Sequence, residues 1–303
     1  MMKIDTFAHV LLPNFYQMML AIDANLPQKM PFLNLPLLTD LDARKAKQVS
    51  GVKQVISYVN LNPEDFVSPA KSLNIVNEAN QELIDIIKQH PDQFFGGVAM
   101  LALNNVAGSV QVIEDVVKEN NLLFGIQLFT RHLGKSVADP SFKPIFAKCA
   151  ELNIPIWLHP VFDQRKPDNN LVFSWEYELS QAMLEIVKAG YFREFPNLKI
   201  IIHHAGAMVP FFSGRIEHIL KPEEANDFHK FYVDTAILGN PKALELAVDY
   251  FGIDHVLFGT DAPFGIAPAG ATNEIINALS ATELTKADLE KIYKDNFMEL
   301  LKD

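Results

Sequence analysis

Short apolar runs rich in β-branched and aromatic residues recur along the chain, and between them lie stretches with apolar residues at helical spacing. The runs predict strands at about 3–10, 51–61, 94–102, 124–130, 155–160, 198–204, 231–237 and 255–261. Asn74 to Lys88 repeats apolar residues at helical spacing, and Asp139-Pro-Ser-Phe-Lys-Pro-Ile-Phe-Ala147 opens with an N-cap acid followed by proline, so both read as helices. Further helices fit 106–119, 177–190, 241–251, 272–280 and 284–301. Alternating strands and helices imply parallel strands joined by crossovers, and eight such units close into a (β/α)8 TIM barrel, an α/β fold, as a single domain over 1–303. A doubly wound open sheet is the alternative, but no Gly-x-Gly-x-x-Gly follows the first strand. Two connections, at about 11–40 and 160–174, are too long for turns. Both leave the C-terminal ends of their strands, the face on which barrel enzymes build their sites, and are expected to act as lids or pocket walls.

Composition narrows the partners. The formal charge is −11 and no Lys/Arg cluster exceeds two residues, which leaves no electrostatic footprint for nucleic acid or an anionic membrane. With 49% hydrophobic and 21% charged residues the chain is expected to fold as a soluble body. The lone Cys149 sits in a helical pattern and reads as a small buried residue. No window reaches about 18 uninterrupted apolar residues and the first residues lack an apolar signal region, so a cytoplasmic protein is the simplest expectation.

Candidate chemistry lies at the strand ends. Strand one ends at His9, strand five at His159, strand six at His203 and His204, and strand eight, Val256-Leu-Phe-Gly-Thr-Asp261, at a carboxylate. Barrel closure would gather these distant ends at one rim. Singly, each reads as a satisfied turn or core residue; together, on strands otherwise made of Ile, Val, Leu and Phe, they point to a site. Imidazoles and a carboxylate suit Zn²⁺ or Mn²⁺, and three protein ligands with one open position describe a catalytic centre. Alternation lets only one of His203 and His204 face the barrel and does not choose between them. Arg131 and Arg165, near strand ends four and five, are candidates to pair a substrate carboxylate, and Phe129, Phe162 and Trp175 to wall an aromatic substrate.

Lys3-Ile-Asp-Thr-Phe-Ala-His9, Gly125-Ile-Gln-Leu, Trp157-Leu-His-Pro160, Phe195 through Phe211 with Gly214-Arg-Ile216, and Leu257-Phe-Gly-Thr-Asp-Ala-Pro-Phe264 occur in that order over nearly the whole chain. The set resembles the amidohydrolase superfamily, in particular its branch around aminocarboxymuconate-semialdehyde decarboxylase and the resorcylate-type decarboxylases. The resemblance implies a (β/α)8 barrel with one metal, usually zinc, held by His9, His159 and Asp261, with the strand-six histidine that activates the reacting group falling on His204 rather than His203. It also marks Arg44 and Arg215, which match arginines common in the family, as further candidates to pair the substrate carboxylate. One departure stands out: where relatives carry a ligand two positions before His9, this chain has Phe7. Asp5 cannot replace it, because four residues of strand place it about 13 Å below His9. Weaker binding, another metal and metal-free chemistry are therefore all open. The implied function is metal-assisted decarboxylation of a small aromatic or unsaturated carboxylate, with Asp261 or His204 delivering the proton. Hydrolysis of a lactone or amide, and a degenerate barrel that only binds a metabolite, are the alternatives. A homodimer is compatible with the apolar helix faces and common in the family.

Overall fold

The computed structural model describes residues 2–166 and 172–302. Strands β1 (Lys3–Val10), β2 (Val52–Tyr58), β3 (Phe94–Ala99), β4 (Leu123–Phe129), β5 (Ile156–His159), β6 (Ile200–Ile202) and β7 (Tyr232–Val233) pair in parallel, in chain order. An eighth stave, residues 256–262, closes the ring through the bridges Val233 to Val256 and Ala8 to Ala262. Leu257 N donates to Val233 O at 2.8 Å on one side, and on the other Thr6 N donates to Phe258 O at 2.8 Å and His9 N to Ala262 O at 2.7 Å. The architecture is the (β/α)8 barrel that the alternating pattern predicts. Its eighth stave is less regular than the apolar run 255–261 implies, because Asp261 turns into the left-handed region with φ 60°.

Alternation divides the apolar residues into two layers. Ile4, Phe7, Val55, Val98, Trp157, Ile201 and Leu257 fill the barrel interior, while Val10, Ile56, Ile126, Ile200, Ile202 and Val256 pack outward against helices. Phe297 and Leu300, on the last helix (Asn296–Leu300), join the interior cluster, and the Phe297 ring meets Phe95 and Phe124 where β3 and β4 begin. The C-terminal helix therefore plugs the N-terminal end of the barrel. Trp157 spans the interior and donates its Nε1–H to Thr6 O at 2.7 Å.

Residues 11–40, expected as a long loop beyond strand one, are built of short helical pieces. They form a helix at Pro13–Ile22, a single turn at Leu26–Lys29 and tight 3₁₀ turns at Pro31–Asn34 and Pro36–Leu38. Proline sits in the first turn of each, where its missing N–H costs nothing. Of the 160–174 connection, residues 167–171 lie outside the described residues, and Ser174 already begins helix Ser174–Ala189. No described helix is long and apolar enough to cross a membrane.

Cys149 is fully buried on helix Lys143–Glu151, and burial pushes its thiol well above the usual range. A disulfide reagent is expected to find no reactive thiol in the native protein and one after denaturation. Rapid native labelling would contradict this packing.

Candidate metal centre

The parity of the interior residues selects what reaches the C-terminal rim. Phe7, Trp157 and Ile201 point inward, so His9, His159 and His203, two positions further on, point inward as well. On the eighth stave Leu257 points inward and Asp261 follows four positions later. The structure brings these four together: one ligand atom from each of His9, His159, His203 and Asp261 lies within 4.8 Å of the others. Asp261 Oδ1 is 3.2 Å from His9 Nε2 and 3.4 Å from His203 Nε2. None of the four is more than 9% exposed.

The second nitrogen of each imidazole is anchored. His9 Nδ1 is 3.2 Å from Ser57 Oγ, His159 Nδ1 is 2.7 Å from Pro160 O, and His203 Nδ1 is bonded to Asp234 Oδ2. With Nδ1–H of His159 donating to that carbonyl, its Nε2 keeps a free lone pair. His9 Nε2 and His203 Nε2 are buried without a hydrogen-bond partner. The unpartnered His9 Nε2, beside the free Nε2 of His159 and the Asp261 carboxylate, fits a cation between them, since such a buried atom is otherwise costly.

Charge states differ within the cluster. Burial lowers the His9 imidazole below its usual range and lowers His159 much further, so both are neutral donors. Burial also works against a charge on His203, but Asp234 and Asp261 outweigh it and push that imidazole up to about 10. Burial would raise Asp261; its close approach to His203 and His9 instead holds it well below the usual carboxylate range. Two neutral imidazoles and an ionised carboxylate are the forms that ligate a metal.

Phe7 occupies the level below, stacked on His203 with ring centroids 4.0 Å apart and 5.6 Å from the His9 ring. It is fully buried and forms an apolar floor. Overhead, Phe264 lies 5.8 Å from His9 and meets Phe32, which in turn contacts Phe162 at 5.1 Å. Trp175 donates to Val161 O at 3.0 Å and sets its ring 6.0 Å from His159. Beyond Phe162 opens a cleft of about 510 Å³ whose lining includes Met30, Asn62, Phe66, Arg131 and Arg165.

Two sequence assignments need correction. The strand-six residue in the cluster is His203, because the strand is still extended there (φ −66°, ψ 161°), whereas His204 enters a left-handed turn at φ 57° and alternation no longer governs it. His204 instead places Nδ1 2.7 Å from Glu176 Oε1. Arg44 does not face a substrate. It is 4% exposed, and its guanidinium donates to His9 O at 2.5 Å, Leu37 O at 3.3 Å, Ala262 O at 3.4 Å and Gln54 Oε1 at 3.0 Å. Arg131 pairs with Glu178 at 3.2 Å, Arg165 is exposed and pairs with Asp163 at 2.7 Å, and Arg215 is exposed on helix Ser213–Ile219. The sequence reading also missed Asp234, which is fully buried and accepts from Ala205 N at 3.2 Å and Ala236 N at 2.9 Å besides holding His203. Its signal was present: like Asp261, it is an acid closing an apolar strand.

Comparison with known proteins bears on this geometry. The family model Amidohydro_2, amidohydrolase, matches residues 57–302. The chain is 28% identical over 252 residues to 2-amino-3-carboxymuconate-6-semialdehyde decarboxylase of Dictyostelium discoideum, covering 78% of this chain and 69% of that protein. It is 25% identical over 321 residues to 6-methylsalicylic acid decarboxylase of Penicillium expansum, covering 99% and 96%. Among solved structures, 5-carboxyvanillate decarboxylase of Novosphingobium aromaticivorans, complexed with manganese and 4-hydroxy-3-methoxy-5-nitrobenzoic acid, superposes with a TM-score of 0.84 at 17% identity, covering 100% of this chain and 96% of that one. At that identity the likeness speaks for the fold. The family match, which takes in every barrel strand after the first two, shows that this chain belongs to the amidohydrolase family.

Proposed function

We propose that the protein is a metal-dependent carboxy-lyase that removes carbon dioxide from a small aromatic or unsaturated carboxylate. The observation that carries this reading is the geometry of one buried cluster at the C-terminal rim, where ligand atoms of His9, His159, His203 and Asp261 lie within 4.8 Å of one another. The relatives named as decarboxylases support it.

His9, His159 and Asp261 would hold a divalent ion, Zn²⁺ or Mn²⁺, which supplies a Lewis acid for the substrate carboxylate and a neighbouring oxygen. His203, fixed by Asp234, holds a proton beside them. As the bond to the carboxylate breaks, its electron pair stays on the substrate carbon and takes the proton from His203; carbon dioxide leaves, and the neutral imidazole regains a proton from water. Phe7 keeps water from beneath His203, while Trp175, Phe162 and Phe264 offer flat apolar walls to an unsaturated substrate. In this arrangement His204 stands at the rim, and Arg131 and Arg165 line the adjoining cleft where a distal anionic group would pass. Phe211, Phe212 and Ile219 are 76%, 40% and 64% exposed around Arg215 and support testing a homodimer by sedimentation.

The test is carbon dioxide release from a panel of hydroxybenzoates and unsaturated dicarboxylates, run beside lactone and amide substrates. Hydrolysis without carbon dioxide release would replace the lyase reading. Chelation is expected to lower turnover at least about tenfold, with recovery on adding Mn²⁺ or Zn²⁺. Protein purified without chelator that carries no metal and gains nothing from either ion would defeat the metal assignment.

A further inference from the structure

The seam between β1 and the eighth stave carries both His9 and Asp261, yet its ladder pairing is the single bridge Ala8 to Ala262 with its flanking backbone hydrogen bonds. Asp261 is moreover in the left-handed region at φ 60°. A residue with a side chain keeps that conformation only where its surroundings over-determine it.

Behind the seam runs a buried chain of polar side chains. Asp5 is fully buried; its Oδ1 accepts from Thr260 N at 2.9 Å and Phe7 N at 3.3 Å, and its Oδ2 from Thr260 Oγ1 at 2.6 Å and Gln54 Nε2 at 3.3 Å. These bonds occupy the carboxylate's lone-pair sites. Gln54 Oε1 in turn accepts from Arg44 Nε at 3.0 Å, and Arg44 reaches His9 O at 2.5 Å and Ala262 O at 3.4 Å. The chain thus grips the residue before Asp261, the residue after it and the carbonyl of His9. Asp5, Gln54, Arg44 and Thr260 are all outside the four-residue cluster.

We propose that the Asp5–Thr260 contact, backed by Gln54 and Arg44, is a positioning device that sets His9 against Asp261 and so fixes the affinity of the site for its metal. It rests on the metal reading of that site. A network that served only the fold would alter thermal stability while leaving the metal affinity of the folded protein unchanged.

The experiment is Mn²⁺ titration calorimetry on the full chain after metal removal, with folding checked by circular dichroism. Thr260→Val removes the hydroxyl while keeping its volume and is expected to weaken Mn²⁺ binding about 10- to 100-fold, as does Asp5→Asn. Thr260→Ser, which retains the hydroxyl, is expected to stay within about threefold of the parent. Should Asp5→Asn not fold, the Val and Ser pair carries the comparison. A folded Thr260→Val that binds Mn²⁺ like the parent overturns the positioning device and leaves the metal reading intact. A parent chain that binds neither Mn²⁺ nor Zn²⁺ overturns both.

Discussion

Asp261→Asn is expected to abolish turnover, lowering kcat at least about 10³-fold, while the barrel stays folded. The substitution keeps the size of the side chain and removes its charge. Phe7 offers no ligand atom, so the proposed metal set is His9, His159 and Asp261, in which Asp261 is the one anionic ligand. The same carboxylate lies 3.4 Å from His203 Nε2, so its loss also disturbs the setting of the proposed proton carrier. The measurement is steady-state carbon dioxide release with Mn²⁺ titration and circular dichroism on the same preparation. A folded variant with parental activity would return Asp261 to the role of an acid that caps the turn before Pro263.

His203→Gln is expected to cost about 10²- to 10⁴-fold in kcat, the range of a general acid, whereas His204→Gln costs less than about tenfold. The two residues are adjacent in sequence and their rings are 4.1 Å apart, so the comparison holds location nearly constant and isolates function. Only His203 joins the cluster and is paired with the buried Asp234; His204 pairs with Glu176 at the rim. Asp234→Asn is expected to follow His203→Gln with a smaller loss, because it weakens the hold on the imidazole and leaves the imidazole in place. The reverse order, with His204 the more damaging site, would restore the assignment drawn from family resemblance and remove His203 as the proton carrier.

Much of the barrel was legible because its causes are local. Trp157 and Ile156, or Val256 and Leu257, announce buried strands through their side chains alone, and Asn74 to Lys88 declares a helix through its spacing. The 11–40 connection was harder to read, since its several prolines look like loop punctuation until each proves to open a short helix or turn. The pair His203-His204 was ambiguous for a definite reason: Ile200-Ile201-Ile202 is apolar throughout, so no polar position reveals which parity faces inward. Arg44 misled for a different reason. It was marked by its match to an arginine common in the family, and only the fold shows backbone carbonyls from β1 and the eighth stave converging on it.

By itself the sequence determined that strands and helices alternate, that polar groups close several apolar strands, and that Phe7 stands where a ligand is expected. The first two follow from residue type and periodicity, which need no knowledge of distant partners; the third follows from the family resemblance. Tertiary structure alone decided that His203 enters the cluster, that Asp234 fixes it, that Arg44 serves the backbone and that Asp5 reaches Thr260. Each of those depends on where a strand stops alternating or on contacts between residues up to 255 positions apart, and neither is encoded in any local window.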